Sequence, residues 1–213
     1  MAARDRNRAR RPRPPHYIIN MKVFYFDVET TGFDPVKNDI TQIAGIIEID
    51  GQTKDRFNMR CQPLNWDNIN EQALAITGVS REKLKEYPLP GVIHKRLLAL
   101  LGKYVDKHDR SDKFYMAGYN AIRFDADFLS NFFKKQNDDY FGSWFNWKII
   151  DPFPVLYFWE WLGKIKLESY KLEAVCKYYN IEIDAHDAFS DISATRKLIY
   201  ELRKESEKYS KGS

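Results

Sequence analysis

Residues 22–32 read KVFYFDVETTG, and this stretch is the most informative part of the chain. The β-branched and aromatic run from Lys22 to Val28 predicts a buried strand, because such side chains pack well on a pleated surface. Alternate residues of a strand share a face, so Asp27 and Glu29 point the same way. Two adjacent carboxylates repel each other unless a cation lies between them. The stretch therefore predicts either a cation-binding strand end or an exposed edge with two solvated acids.

The sequence that follows predicts a mixed α/β domain. Residues 40–49 and 53–60 have strand patterns, and Asp50-Gly51 between them is typical of a hairpin turn. With the first strand they would form a three-stranded antiparallel meander. Strands and helices alternate afterwards, which favours a mixed five-stranded sheet, with added parallel strands, flanked by helices. The later patterns predict strands at 113–118 and 147–150 and helices at 70–76, 81–85, 92–105, 125–135, 152–161, 172–179 and 189–205.

Composition excludes several classes of protein. The chain has 213 residues, of which 44% are hydrophobic and 30% charged, and this is unlike a disordered, collagen-like or coiled-coil protein. No apolar stretch approaches the roughly 20 residues that a membrane span needs. Two cysteines, Cys61 and Cys176, are too few for a disulfide framework or a cysteine-rich zinc site. We therefore expect a cytoplasmic protein that does not enter a membrane.

The net charge of +4 comes from the first 20 residues. They contain six arginines and one acid, whereas the remaining chain has 28 basic and 29 acidic residues. We expect residues 1–20 to be a disordered basic leader, residues 21–206 the folded domain and residues 207–213 a flexible tail. Three interpretations of the leader stay open: upstream or vector-derived sequence, an arm for nucleic acid, or a tail that binds a partner.

Two further motifs supply acids, and one of them supplies a histidine. Asp125 follows Phe124 at the predicted start of a helix, where it either faces a site or only caps the helix. Asp127 lies roughly 200° further round that helix and cannot serve the same site. His186 precedes Asp191 by five residues across a helix entry, so a loop histidine can lean over an acid in the first turn. A lone histidine is more often structural, but acids surround this one.

Together the motifs predict a metal site with a base. All-oxygen ligation suits Mg²⁺ or Mn²⁺, and two such ions about 4 Å apart form a two-metal phosphodiesterase site. A histidine that titrates near neutrality is suited to act as the general base. The predicted catalytic residues are Asp27, Glu29, Asp125, Asp191 and His186, with the four acids as metal ligands.

The three motifs resemble those of the DnaQ-like exonucleases, the histidine-type branch of the DEDD superfamily. The family pattern is D-x-E, an aspartate after an aromatic residue, and H-x-A-x-x-D, which residues 27–29, 124–125 and 186–191 match in order. Within the family, I-T-G-V at 76–79 looks like the equivalent turn of bacterial exonuclease I. The resemblance covers about residues 22–203. It implies a ribonuclease-H-like fold, two Mg²⁺ ions replaceable by Mn²⁺, and release of nucleoside 5′-monophosphates from the 3′ end of single-stranded DNA.

The resemblance also implies substrate contacts. In relatives, apolar residues that match Phe33 and Ile76 wedge at the terminal bases, with an aromatic residue matching Phe124 beside them. Stacking of this kind tolerates any base sequence. Two threonines would offer backbone contacts to the 3′ nucleotide, although a plain turn explains them equally. The implied substrate-binding residues are Thr30, Thr31, Phe33, Ile76, Asn120 and Phe124.

Several functions remain compatible with these residues. A polymerase proofreading subunit and a 3′→5′ exoribonuclease use the same chemistry, and a non-catalytic nucleic-acid-binding module would keep the fold alone. The complete set of acids and histidine favours an enzyme. Because the body of the chain is near neutral, grip on a strand would have to come from the basic leader or from a protein partner.

Overall fold

The computed structural model describes residues 21–183 and 188–210, which form one mixed sheet with helices against it. The five strands stand in the order β3-β2-β1-β4-β5. β1 lies in the centre, antiparallel to β2 and parallel to β4, so the predicted five-stranded mixed sheet is confirmed. The strands are β1 Lys22–Thr30, β2 Ile40–Ile49, β3 Gln52–Arg60, β4 Phe114–Ala117 and β5 Phe145–Ile150.

Helices connect the strands and follow the sheet. Three of them, α2, α4 and α6, have the bounds that the sequence predicts. No helix in the described part of the chain is both long and apolar enough to cross a membrane. The helices are α1 Glu71–Thr77, α2 Arg81–Lys85, α3 Pro90–Leu101, α4 Asp125–Lys135, α5 Phe141–Trp144, α6 Pro152–Trp161, α7 Leu172–Tyr178 and α8 Ala188–Ser210.

The meander depends on its turn. Asp50 and Gly51 have φ values of 52° and 79°, the left-handed pair that a tight two-residue hairpin requires. This turn joins β2 to β3 and pairs Ile49 with Gln52 across it. On the other side of β2, β1 pairs Asp27 with Ala44 and Glu29 with Gln42.

An aromatic core holds the sheet against α3 and α4. The ring of Phe24, which is fully buried on β1, lies 5.2 Å from the rings of both Phe57 and Phe145. Leu97 and Leu101 of α3 are also fully buried in this cluster. Burying each such side chain contributes on the order of 1.5–3 kcal/mol, which makes the central strand a rigid platform.

Several predicted boundaries need correction. The helix expected at 92–105 begins at Pro90, since proline suits a first helical turn, and ends before Gly102. Helix α8 continues through Ser210, and Arg203 and Glu207 pair at 3.6 Å, one turn apart. The flexible tail expected at 207–213 stays a prediction. The four-residue α5 and a 3₁₀ turn at Ala121–Arg123 were not predicted. The expected leader, residues 1–20, lies outside the described residues.

Candidate active site

The first acids lie where β1 extends beyond its parallel neighbour. The last pair between β1 and β4 is Tyr25 with Ala117, whereas β1 continues to Thr30. The chain leaves β4 through Gly118, where a Cβ atom would lie 2.7 Å from Ala121 Cβ and 3.0 Å from the Phe26 carbonyl oxygen. Only glycine allows this close passage, and it brings the following loop across β1 beside Asp27.

Helix α4 brings Asp125 to the same strand. Asp125 is the first residue of α4, and only 6% of it is exposed. The Val28 backbone N–H donates to Asp125 Oδ1 at 3.1 Å, which fixes the carboxylate between the positions of Asp27 and Glu29. At the other end of the helix, Lys135 Nζ lies 2.8 Å from Asp39 Oδ1, so α4 is tied to the sheet at both ends.

Helix α8 supplies the fourth acid. Asp191 lies in its first turn and lines a cavity of about 200 Å³ together with Asp27, Gly118 and Tyr119. Farther along, Arg196 Nε donates to the buried Glu48 Oε2 at 2.5 Å and Tyr200 Oη donates to Glu48 Oε1 at 2.7 Å. This polar anchor holds α8 against β2 and thereby sets the position of Asp191.

Burial and mutual repulsion perturb these acids. The pKa of Asp27 is raised well above its ordinary value by burial and then by Asp125, Glu29 and Asp191. Burial also raises the pKa of Asp125 to about 7; the Val28 N–H opposes that change, and Glu29 adds repulsion. The pKa of Glu29 is raised by burial and by Asp191. The four predicted acids therefore act on one another within one site.

This donor set fits a divalent cation. Carboxylate oxygens are the ligands that Mg²⁺ and Mn²⁺ prefer, and a cation would offset the repulsion that raises the pKa values of Asp27 and Glu29. Within residues 21–183 and 188–210, no three His, Cys, Asp or Glu side chains have the spacing of a formed metal site. The residues that would hold such a cation are Asp27, Glu29, Asp125 and Asp191. The predicted base, His186, lies outside the described residues.

Most of the predicted substrate contacts lie at accessible positions. Phe33 is 58% exposed and Ile76 is 75% exposed, which is unusual for large apolar side chains. Asn120 is exposed and has a left-handed φ of 56°. Phe124 is half-buried, with its ring 4.7 Å from that of Phe128, so it also packs in the core.

The threonines have structural partners instead. Thr31 is fully buried: its N–H donates to the Asp39 carbonyl at 2.8 Å, and its hydroxyl oxygen accepts from the Asp39 N–H at 2.9 Å. Its carbonyl accepts from the Asn70 N–H at 2.8 Å. The Thr30 hydroxyl donates to the Gly32 carbonyl at 2.6 Å. The N–H and carbonyl of Thr31 therefore close the turn after β1, and the contact of Thr30 and Thr31 with the 3′ nucleotide stays a prediction.

One site residue was missed by sequence reasoning. Asp151 is buried at the end of β5, and its carboxylate accepts from the N–H groups of Asn120 and Phe153 at 2.9 Å and of Ile122 at 3.2 Å. It fixes the loop that leads into Asp125. Its signal in the sequence was an aspartate that ends a strand and precedes proline, a typical helix start.

Four acids surround the end of the central strand of this mixed sheet, and the family match places the chain among the phosphodiester hydrolases. The family model described as an exonuclease of the RNase T type matches residues 24–199. The chain therefore belongs to this exonuclease family, to which the DnaQ-like enzymes also belong, and members of the family typically use divalent metals.

Relatives of known identity support this assignment. A PolC-type DNA polymerase III from Halalkalibacterium halodurans is 27% identical over 88% of this chain, which spans 12% of that polymerase. E. coli exonuclease I, solved with single-stranded DNA in a zinc-bound form, is 23% identical with a TM-score of 0.71; the match covers 86% of this chain and 41% of that one. A complex of exonuclease I with the SSB C-terminus gives a TM-score of 0.70 at 22% identity, over 84% and 40% of the two chains. The expected ribonuclease-H-like exonuclease fold is thereby confirmed.

Proposed function

We propose that this chain is a divalent-metal-dependent exonuclease that removes nucleotides from the 3′ end of single-stranded DNA. The observation that carries the proposal is the convergence of Asp27, Glu29, Asp125 and Asp191 on one site, with three of their pKa values raised. Like charges are expensive to bury together, so a cation is the simplest reason to keep them there. The likeness to an exonuclease I solved with single-stranded DNA supports the substrate.

The four acids would hold two Mg²⁺ ions, and Mn²⁺ would substitute. When bound, such ions supply positive charge that activates a water molecule and offsets the charge on the leaving 3′ oxygen. Asp27 lies on the central strand and Asp125 is hydrogen-bonded to it through the Val28 N–H, so these two side chains orient the site. Glu29 and Asp191 close it from the strand end and from α8.

His186 would be the general base. It would accept a proton from the attacking water as the new P–O bond forms and the bond from phosphorus to the 3′ oxygen breaks. The products are a nucleoside 5′-monophosphate and a strand shortened by one nucleotide with a 3′ hydroxyl. The support for this role is the sequence, in which His186 precedes Asp191 by five residues in the pattern H-x-A-x-x-D.

A second candidate is proofreading of a newly synthesised strand. The similarity to PolC-type polymerases favours it, although this chain spans only about a tenth of their length. A proofreading enzyme would remove a mismatched 3′ nucleotide from a primer–template faster than a paired one. Comparing those two substrates with free single-stranded DNA separates the two roles.

The test of the proposal uses oligonucleotides labelled at the 3′ or the 5′ end, as DNA and as RNA, with Mg²⁺, Mn²⁺ or EDTA. We expect stepwise loss from the 3′ end of DNA that EDTA abolishes. Trimming of RNA alone would support the exoribonuclease instead. Absence of cleavage of either polymer would contradict an enzymatic role and favour a binding module.

Matched variants connect the activity to the site. Asp27→Ala and Asp125→Ala should abolish turnover, whereas Asp127→Ala, an exposed acid on the same helix, should not. His186→Ala should slow turnover by roughly 10²- to 10⁴-fold. Full activity of Asp125→Ala, or equal loss in the Asp127 control, would refute the assignment. Removal of residues 1–20 tests whether the leader binds the strand. If it does, the shortened chain should bind DNA more weakly, and its binding should depend less on salt concentration.

A further inference from the structure

A second cavity lies beside the active-site cavity. It has a volume of about 200 Å³, smaller than the roughly 300–1,000 Å³ of a pocket for a drug-sized ligand, and so suits one flat ring system. Asn120, Ile122 and Arg123 form one wall, and Phe153 and Tyr157 of α6 form the other. Its first wall belongs to the loop that Asp151 fixes and that leads directly into Asp125.

A continuous row of aromatic rings connects the two cavities. Tyr119 lines the active-site cavity, and its ring lies 5.9 Å from that of Phe153. Phe153 lies 5.3 Å from Tyr170, and Tyr170 lies 6.1 Å from Tyr157. The Tyr119 hydroxyl donates to the Tyr170 carbonyl at 2.5 Å, and the Tyr170 hydroxyl donates to Glu160. Tyr157 is therefore supported from behind at the outer end of the row.

The mouth of this cavity combines exposed apolar surface with a positive charge. Tyr157 is 65% exposed and Ile122 is 44% exposed, and both side chains line the cavity. Arg123 is exposed and forms no ion pair with any residue in the described ranges. Aromatic and apolar walls suit the face of a base, and an arginine suits the phosphate next to it.

We propose that this cavity binds a base of the substrate strand upstream of the nucleotide being removed, with Tyr157 as the stacking platform and Arg123 at the adjoining phosphate. The inference rests on the proposed function and adds to it a subsite for the strand. It also gives the near-neutral domain a local means of holding a single strand, since stacking requires no large positive field.

The test compares two substrates of the purified full chain. One is single-stranded oligothymidylate, and the other is the p-nitrophenyl ester of thymidine 5′-monophosphate, which has no upstream base. Tyr157→Ala should lower the ratio of kcat/KM for the oligonucleotide to kcat/KM for the ester by about 5- to 150-fold, the usual range for one stacked base. Tyr157→Phe should retain the ratio. Phe158→Ala is the matched control, because Phe158 is 54% exposed on the same helix but stacks on Trp161 instead.

The outcomes separate this inference from the function on which it rests. If the wild-type chain hydrolyses neither substrate, the proposed function fails. If it hydrolyses both and Tyr157→Ala leaves the ratio unchanged, or Phe158→Ala lowers it equally, only the subsite is refuted. A second variant, Arg123→Gln, should reduce the slope of log KM against log salt by about one; an unchanged slope would also refute the subsite.

Discussion

Neutralising one acid of the site should stabilise the metal-free protein, and Asp125→Asn tests this most directly. The pKa of Asp125 is raised from 3.8 to about 7, chiefly by burial. A raised pKa means that the folded chain binds the proton more tightly than the unfolded chain does. The free energy of unfolding must therefore fall as the pH rises from about 4 through 7, because the buried group loses its proton there.

The magnitude follows from the size of that change. The rise of about three units in the pKa of Asp125 corresponds to about 4 kcal/mol, at 1.4 kcal/mol per unit. Relaxation around a charged site reduces this cost, so we expect Asp125→Asn to raise the free energy of unfolding by about 2–4 kcal/mol at pH 8. Asparagine removes the charge while its side-chain oxygen can still accept from the Val28 N–H. For a chain of this size the gain corresponds to a rise in Tm of roughly 4–16 °C.

The assay is thermal unfolding in EDTA at pH 8 and at pH 4, for the wild type, Asp125→Asn and the exposed control Asp127→Asn. The rise in Tm caused by Asp125→Asn should be largest at pH 8 and nearly absent at pH 4. The Tm of the Asp127→Asn control should differ little from that of the wild type at either pH. Mg²⁺ or Mn²⁺ should raise the Tm of the wild type more than that of Asp125→Asn. A variant that is no more stable than the wild type at pH 8 would refute the account of burial and repulsion.

Three further changes test the framework that holds the site. Gly118→Ala should lower the free energy of unfolding by about 1–3 kcal/mol and abolish most of the activity, because the alanine methyl would collide with Ala121 and the Phe26 carbonyl. An unchanged Tm and unchanged turnover would contradict the close passage. Arg196→Met should lower the free energy of unfolding by about 3 kcal/mol in chemical denaturation, because it leaves the buried Glu48 carboxylate without its positive partner. A smaller loss than in a surface arginine variant would count against the anchor. Replacing Leu97 or Leu101, the fully buried leucines of α3, with alanine should lower the free energy of unfolding by about 2–5 kcal/mol. The activity per folded molecule should be retained, and a specific loss of turnover would contradict a purely structural role in the core.

The parts of the fold that could be predicted are those with local signals. Asp50-Gly51 carries its own backbone preference, and the apolar residues of 125–135 recur with the helical period, so the hairpin and α4 have the predicted positions. The four residues of α5 are too few to show any period. The end of α3 was misplaced because the apolar spacing continues to Val105, whereas the helix ends at Leu101 and the N–H groups of Lys103 and Tyr104 donate to carbonyls three residues back.

The sequence predicts that the acids lie together, but it does not predict the hydrogen bonds that hold them in place. Alternate positions on β1 place Asp27 and Glu29 on the same face by geometry alone. The hydrogen bonds of Asp151 to the loop before Asp125 join residues about 30 positions apart, and only the folded chain shows them. In the same way, the hydrogen bonds of the Thr31 backbone to Asp39 and Asn70 join residues separated in the sequence, so only the folded chain shows them.

The acids come from β1, α4 and α8, so the site draws on segments that leave the ribosome far apart in time. Asp27 and Asp125 belong to the part of the chain made first, while Asp191 arrives only with α8, after the whole sheet has been synthesised. Nascent or proteolysed chains that lack α8 would carry an incomplete ligand set. Such fragments should be unable to degrade nucleic acid, and cleavage activity should appear only once the final helix has docked.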